Sequence, residues 1–129
     1  MKVQHDDFRA EVAAWMAQHL RGQFEPLRGR GGLGDPLYDA ALAKRWEQQL
    51  ASGGWIGIGW PAEHGGRALP LGQQVVFHEE YVRAGGPGRL GHIGETLLAP
   101  TLMAFGTAEQ QQRFLPGIRA GTTYWAQGY

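Results

Sequence analysis

Apolar positions recur every three or four residues along most of this chain, the spacing of amphipathic helices. Phe8, Val12, Trp15, Met16 and Leu20 form the first stripe. Asp6 or Asp7 is expected to cap its start by accepting from free backbone amides, and Gly22 to end it. Arg9, Glu11, Gln18 and Arg21 fall on the opposite, solvated side. Tyr38, Leu42, Trp46 and Leu50 lie four apart on a second stripe, bordered by Ala41 and Arg45. Asp35-Pro36 is expected to open that helix with a cap and a proline that has no amide to lose, and Gly53-Gly54 to stop it after Ser52. A third stripe, Leu71, Val75, His78 or Glu79, and Val82, follows Leu69-Pro70 and ends at Ala84-Gly85-Gly86-Pro87-Gly88. Residues 90–98 read as a short helix carrying His92 and Glu95. Pro100 opens another, with Leu102, Met103 and Phe105 apolar and Gly106 closing it. Thr107-Ala108-Glu109-Gln110 is a capping box, and the helix it begins is expected to end or kink at Leu115-Pro116. No alternating strand pattern appears before residue 122, so the expected fold is all-α, an up-and-down bundle of about five to six helices.

The stretch Gly54-Trp55-Ile56-Gly57-Ile58-Gly59-Trp60-Pro61-Ala62-Glu63-His64-Gly65-Gly66 interrupts this pattern. Five glycines and a proline do not sit inside a regular helix, so it reads as a shaped loop with Trp55 and Trp60 as buried anchors. Such a loop either locks two helices together or lets backbone pass close to a ligand. The other glycine-rich run, Gly29-Arg30-Gly31-Gly32-Leu33-Gly34, lacks the preceding strand and following lysine of a phosphate loop and reads as a mobile connector.

Composition narrows the function classes. A chain of 129 residues has room for one domain with a real core. Twelve basic residues balance twelve acidic ones, so no charge excess points to nucleic acid or an anionic membrane. No cysteine is present, which excludes disulfides and thiolate metal sites and suits a cytoplasmic protein. The amino terminus has acidic residues where a signal peptide needs an apolar run, and no run approaches the ~20 residues that cross a bilayer.

Candidate chemistry within the chain is sparse. Glu79 and Glu80 are adjacent on a helix and point about 100° apart, so they do not form a facing acid and base pair. One is expected inward and hydrogen-bonded, the other outward. The histidines His5, His19, His64, His78 and His92 include no pair three or four apart on one helix, so no metal site is expected. Ser52 is the one serine and stands at a helix end, which leaves no nucleophile triad. No residue of this chain is expected to be catalytic.

The loop pattern Gly-Trp-x-Gly-x-x-Trp-Pro-x-Glu-x-Gly-Gly over Gly54 to Gly66 resembles the amino-terminal helical domain of the acyl-CoA dehydrogenases, which are flavoenzymes. A second stretch, Phe105-Gly106-Thr107-Ala108-Glu109-Gln110 through Phe114-Leu115-Pro116, is similar to the family segment that leads from that domain into the central β domain. The resemblance implies a helical domain over residues 1–121 and the first strand of a β domain over residues 122–129. Trp125-Ala126-Gln127-Gly128-Tyr129 resembles that strand, so Gln127, Gly128 and Tyr129 are the positions expected to begin the FAD site. The strand variant is similar to members acting on bulky, branched or steroid-side-chain thioesters.

In a complete family member a glutamate removes a proton beside the thioester and hydride passes to the flavin, giving a trans-2-enoyl-CoA. The resemblance covers the first third of such an enzyme, so this chain is expected to wall part of the acyl and flavin pocket and to be inactive alone. Its expected partners are acyl-CoA, electron-transfer flavoprotein as acceptor, and the rest of the dehydrogenase or a partner subunit in a homo- or hetero-oligomer. Two other readings stand beside it: a catalytically inactive helical module that binds a flavoprotein, and a small-ligand carrier.

Overall fold

The structure, a computed structural model, describes residues 2–129, with side chains from Asp6 onward. All regular structure among the described residues is helical: α1 (Lys2–His19), α2 (Ala40–Ser52), α3 (Leu71–Arg83), α4 (Ala99–Phe105) and α5 (Ala108–Ala120). Two 3₁₀ turns, Gly22–Leu27 and Ala62–His64, and a π turn, Gly94–Leu98, complete it. The chain forms two compact units, Met1–Ala43 with Leu69–Gly88 and Lys44–Ala68 with Arg89–Tyr129. Helix α2 begins in the first and continues into the second.

In the first unit α1 packs on α3. Phe8, Val12, Met16 and Leu20 are buried, as the first stripe predicts, but the helix begins at Lys2, ahead of Asp6 and Asp7. Nothing in Val3-Gln4-His5 breaks a helix, so the aspartates lie within its second turn rather than at a cap. Helix α3 turns the other way from its expected stripe. Val76, Phe77, Glu80 and Tyr81 are buried, while Leu71, Val75 and Val82 are 74, 50 and 74% exposed. Burial of Val76, Phe77 and Tyr81 sets this phase, and Arg9 meets the glutamates it brings round. Its guanidinium donates to Glu80 at 2.7 Å and to Glu79 at 2.9 Å, and Arg83 also pairs with Glu80. Glu80 is thereby buried and satisfied, and Glu79 stays half-exposed, the inward and outward division the adjacent carboxylates suggested.

Helix α2 starts later than Asp35. The Asp35 carboxylate accepts from the amides of Leu37 at 3.0 Å and Gly31 at 3.2 Å, closing a turn, and Asp39 caps the helix through the Leu42 amide at 3.1 Å. Tyr38 consequently lies outside the helix and donates its hydroxyl to Gly88 O at 2.8 Å. The glycine run is tied down by the same segment: Gly29 N donates to Gly85 O and Gly88 N to Arg30 O. Arg28 and Arg30 are engaged within the unit, with Glu25 and the Leu20 and Ala84 carbonyls, and with Asp35. At the far end of α2, Trp55 N donates to Leu50 O and Gly54 N to Ala51 O, with Gly54 left-handed at φ 76°, so the expected glycine stop is in place.

In the second unit α4 and α5 pack together around Trp60, Ala99, Leu102, Leu115 and Ile118, all buried. The capping box forms: Gln110 N donates to Thr107 Oγ1 at 3.1 Å and Thr107 N to Gln110 Oε1 at 2.9 Å. Helix α5 does not end at Pro116. It runs on to Ala120, because burial of Leu115 and Ile118 on either side outweighs one missing amide, and Gly121 at φ 71° ends it. Residues 122–129 carry neither helix nor strand. The expected strand has no neighbour among the described residues to complete its ladder, so its amides stay outside regular structure.

Candidate functional site around the tryptophan loop

Trp60 folds back over its own loop. Its amide donates to Gly57 O at 3.0 Å, and a Cβ at Gly57 would stand 2.7 Å from the indole ring. Gly57 also sits at φ 69°, so both ring contact and backbone demand glycine there. Trp55 and Trp60 are 2 and 6% exposed, which bears out their reading as anchors. Arg67 covers the Trp55 ring, its guanidinium carbon 4.6 Å from the ring centre, and closes the far end of the loop.

Glu95 holds the loop from the other side. Its carboxylate accepts from Gly57 N at 2.9 Å, and its carbonyl accepts from Trp60 Nε1 at 3.2 Å. That carbonyl is open for a definite reason: Ala99 N donates back five residues to Gly94 O, and Pro100 has no amide to give. The π turn, unseen in the sequence pattern, is therefore what exposes a helix carbonyl to the indole. Pro100 stands in the first turn of α4, as expected of a helix-opening proline, with Gly106 closing that helix and the π turn leading straight into it.

Arg89 links Glu95 to α2. It donates to both oxygens of Glu47, at 2.6 and 3.1 Å, and to Glu95 at 2.8 Å. Gly91 N adds a donor to Glu47 at 3.1 Å. With side-chain exposures of 14% for Arg89, 1% for Glu47 and 13% for Glu95, this is a buried ion-pair triad with each carboxylate also taking a backbone amide. Sequence reasoning missed it. Glu47 lies one residue past Trp46 on the inward face of α2, and that position is its one local signal.

The terminal segment leaves this unit beside the same network. A Cβ at Gly121 would meet Glu47 O at 2.7 Å, and the Tyr124 hydroxyl donates to Gly121 O at 2.6 Å. Burial, then the Glu47 charge, pushes the Tyr124 phenol above its usual value of 10.0. Trp125 packs edge-on to Phe114 with ring centres 5.2 Å apart and lies against Gly94. Gln127, Gly128 and Tyr129 follow, all exposed. They have no enclosure of their own among the described residues. His64 borders an open cleft on α5, His92 is exposed, and His78 is on the outer face of α3. Among the described residues no group of three metal-ligating side chains stands together, and no helix is long and apolar enough to cross a membrane.

These features coincide with a known family. A sequence model described as acyl-CoA dehydrogenase, N-terminal domain, matches residues 2–122. The chain belongs to the acyl-CoA dehydrogenase family. It is 49% identical over 124 residues to acyl-CoA dehydrogenase IpdE1 of Mycobacterium tuberculosis, covering 96% of this chain and 32% of that protein. It is 47% identical over 127 residues to IpdE1 of Mycolicibacterium smegmatis, covering 98% and 32%. Among solved structures it resembles the Tcur3481-Tcur3483 steroid ACAD, with a TM-score of 0.77 and 32% identity over 95% of this chain and 30% of that one. The ChsE4-ChsE5 complex from Mycobacterium tuberculosis gives a TM-score of 0.76 and 30% identity over 94% and 28%. The chain thus spans about a third of the length of the curated relatives it matches.

Proposed function

We propose that this chain serves as the amino-terminal helical part of an FAD-dependent acyl-CoA dehydrogenase that converts an acyl-CoA to its trans-2-enoyl-CoA. The observation that carries this reading is the match of nearly the whole chain, at 49% identity, to the corresponding third of an acyl-CoA dehydrogenase. FAD, when bound, supplies the hydride acceptor. This chain's share is structural: the loop held by Glu95 and Arg89, with Trp60 at its centre, walls one side of the acyl and flavin pocket. Backbone amides at Gln127, Gly128 and Tyr129 begin the cofactor edge, as the first strand, residues 122–129, of a β domain that follows the helical domain of residues 1–121. The catalytic glutamate lies outside these residues, so the chain alone is inactive.

One structural neighbour is called a steroid ACAD, and both neighbours carry paired names, Tcur3481-Tcur3483 and ChsE4-ChsE5. These names support a bulky ring-bearing thioester as substrate and a hetero-oligomer as the working form. Electron-transfer flavoprotein is the acceptor and the cytoplasm the location under this reading. The test is to isolate the protein from its native cells and assay it against acyl-CoA thioesters, from short straight chains to steroid side chains. Enoyl-CoA formation is expected, strongest with the bulky thioesters, while the 129-residue chain by itself forms none. Failure of the native preparation on every thioester would overturn the reading.

A further inference from the structure

A cleft of about 480 Å³ opens between the 3₁₀ turn Ala62–His64 and the outer face of α5. Its walls include Glu63 and His64 from the turn, and Gln112, Leu115 and Arg119 from the helix. Arg119 reaches toward the turn from α5. A Cβ on Gly65 would stand 2.5 Å from Arg119 Nε and 2.7 Å from its Cδ, so the side chain passes close over a glycine backbone that is itself left-handed at φ 81°. A guanidinium so placed presents a planar fork of donors that suits a planar or tetrahedral anion. The salt bridges among the described residues include none to Arg119. Its guanidinium therefore lines the cleft beside the His64 imidazole, with no carboxylate at ion-pair distance among the described residues. Gln112 adds an amide donor, and Leu115 and Pro116 form an apolar floor.

We propose that this cleft is an anion-binding site, with Arg119 as the bidentate donor and His64 and Gln112 as flanking donors, for an oxyanion of the phosphate or carboxylate type. Glu63 on the rim adds an acceptor and favours an anion that also carries a hydroxyl. The site is separate from the Glu47, Arg89 and Glu95 network.

The experiment is a titration of the full chain with inorganic phosphate, and separately with acetate, followed by the NMR signals of the His64 ring and Arg119 Nε–H at constant ionic strength set with chloride. Saturable shifts confined to these two residues are expected with phosphate. Saturation by acetate as well would show that a carboxylate is also accepted; saturation by phosphate alone would restrict the site to phosphoryl groups. Arg119→Gln should weaken binding at least about tenfold and Arg119→Lys less, since the lysine keeps charge but loses the fork. Unchanged melting curves would establish that both variants fold. Linear shifts, shifts equal to those with chloride, or undiminished binding by Arg119→Gln would overturn the proposal.

Discussion

The Glu95 carboxylate accepts the Gly57 amide at 2.9 Å across thirty-eight residues of chain, while the other Glu95 oxygen pairs with Arg89. One side chain thus fixes the turn of the tryptophan loop and partners an arginine that also holds Glu47. Glu95→Ala removes the loop's anchor and leaves a buried amide and part of a buried guanidinium unsatisfied. A loss of about 3 kcal/mol in urea unfolding is expected. Glu95→Gln, which keeps an acceptor, should cost less. Equal stability of Glu95→Ala and the parent chain would show that the loop does not depend on this bond.

Gly57 stands under the Trp60 ring. Gly57→Ala puts a methyl 2.7 Å from the indole at a φ of 69°, so both ring and backbone must shift. The expected destabilisation is about 2–4 kcal/mol, with a displacement of tryptophan emission as the ring moves. Gly29→Ala provides the contrast: its φ is also positive, at 73°, but its Cβ meets nothing within 4 Å, so only the backbone strain of about 1 kcal/mol is expected.

The phase of α3 makes a third test. Phe77 is buried at 2% exposure and Val82 is open at 74%. Phe77→Ala should cost about 3–5 kcal/mol and Val82→Thr less than about 0.5 kcal/mol in the isolated chain. Reversed magnitudes would restore the stripe of Leu71, Val75 and Val82 as the inner face.

Stability should respond to pH at two sites. The Leu37 amide first, then the Gly31 amide and the Arg30 charge, hold the Asp35 carboxyl below its ordinary 3.8. Below 3.8 the unfolded chain takes up this proton before the folded one, so the contribution is present above 3.8 and is lost as pH falls through the folded value. Tyr124 runs the opposite way. Above 10.0 the unfolded phenol ionises while the folded one resists, so stability declines as pH rises. Thermal unfolding across pH should show a shallower acid limb in Asp35→Asn and a shallower alkaline limb in Tyr124→Phe.

What the sequence revealed divides by range. The Thr107 capping box, the glycine stop after α2 and the buried tryptophans depend on neighbours within a few residues, and each was legible. The face of α3 was not, because both of its sides carry apolar residues and the partners of its inner face are distant in sequence, Arg9 lying seventy residues away from Glu79. The start of α2 was misplaced because two aspartates compete: Asp35 is spent on the Leu37 and Gly31 amides, which leaves the cap to Asp39. The Glu47, Arg89 and Glu95 triad joins three segments and has no local signature. Sequence could place glutamate on an inward face but not name the arginine that makes it tolerable there.

Whether the chain works within a flavoenzyme is tested most directly by the visible absorption spectrum of the protein isolated gently from its native cells. Flavin absorption, in a preparation holding these residues together with the remaining polypeptide of a dehydrogenase, is the predicted result. A colourless preparation in which the 129 residues stand alone would contradict it.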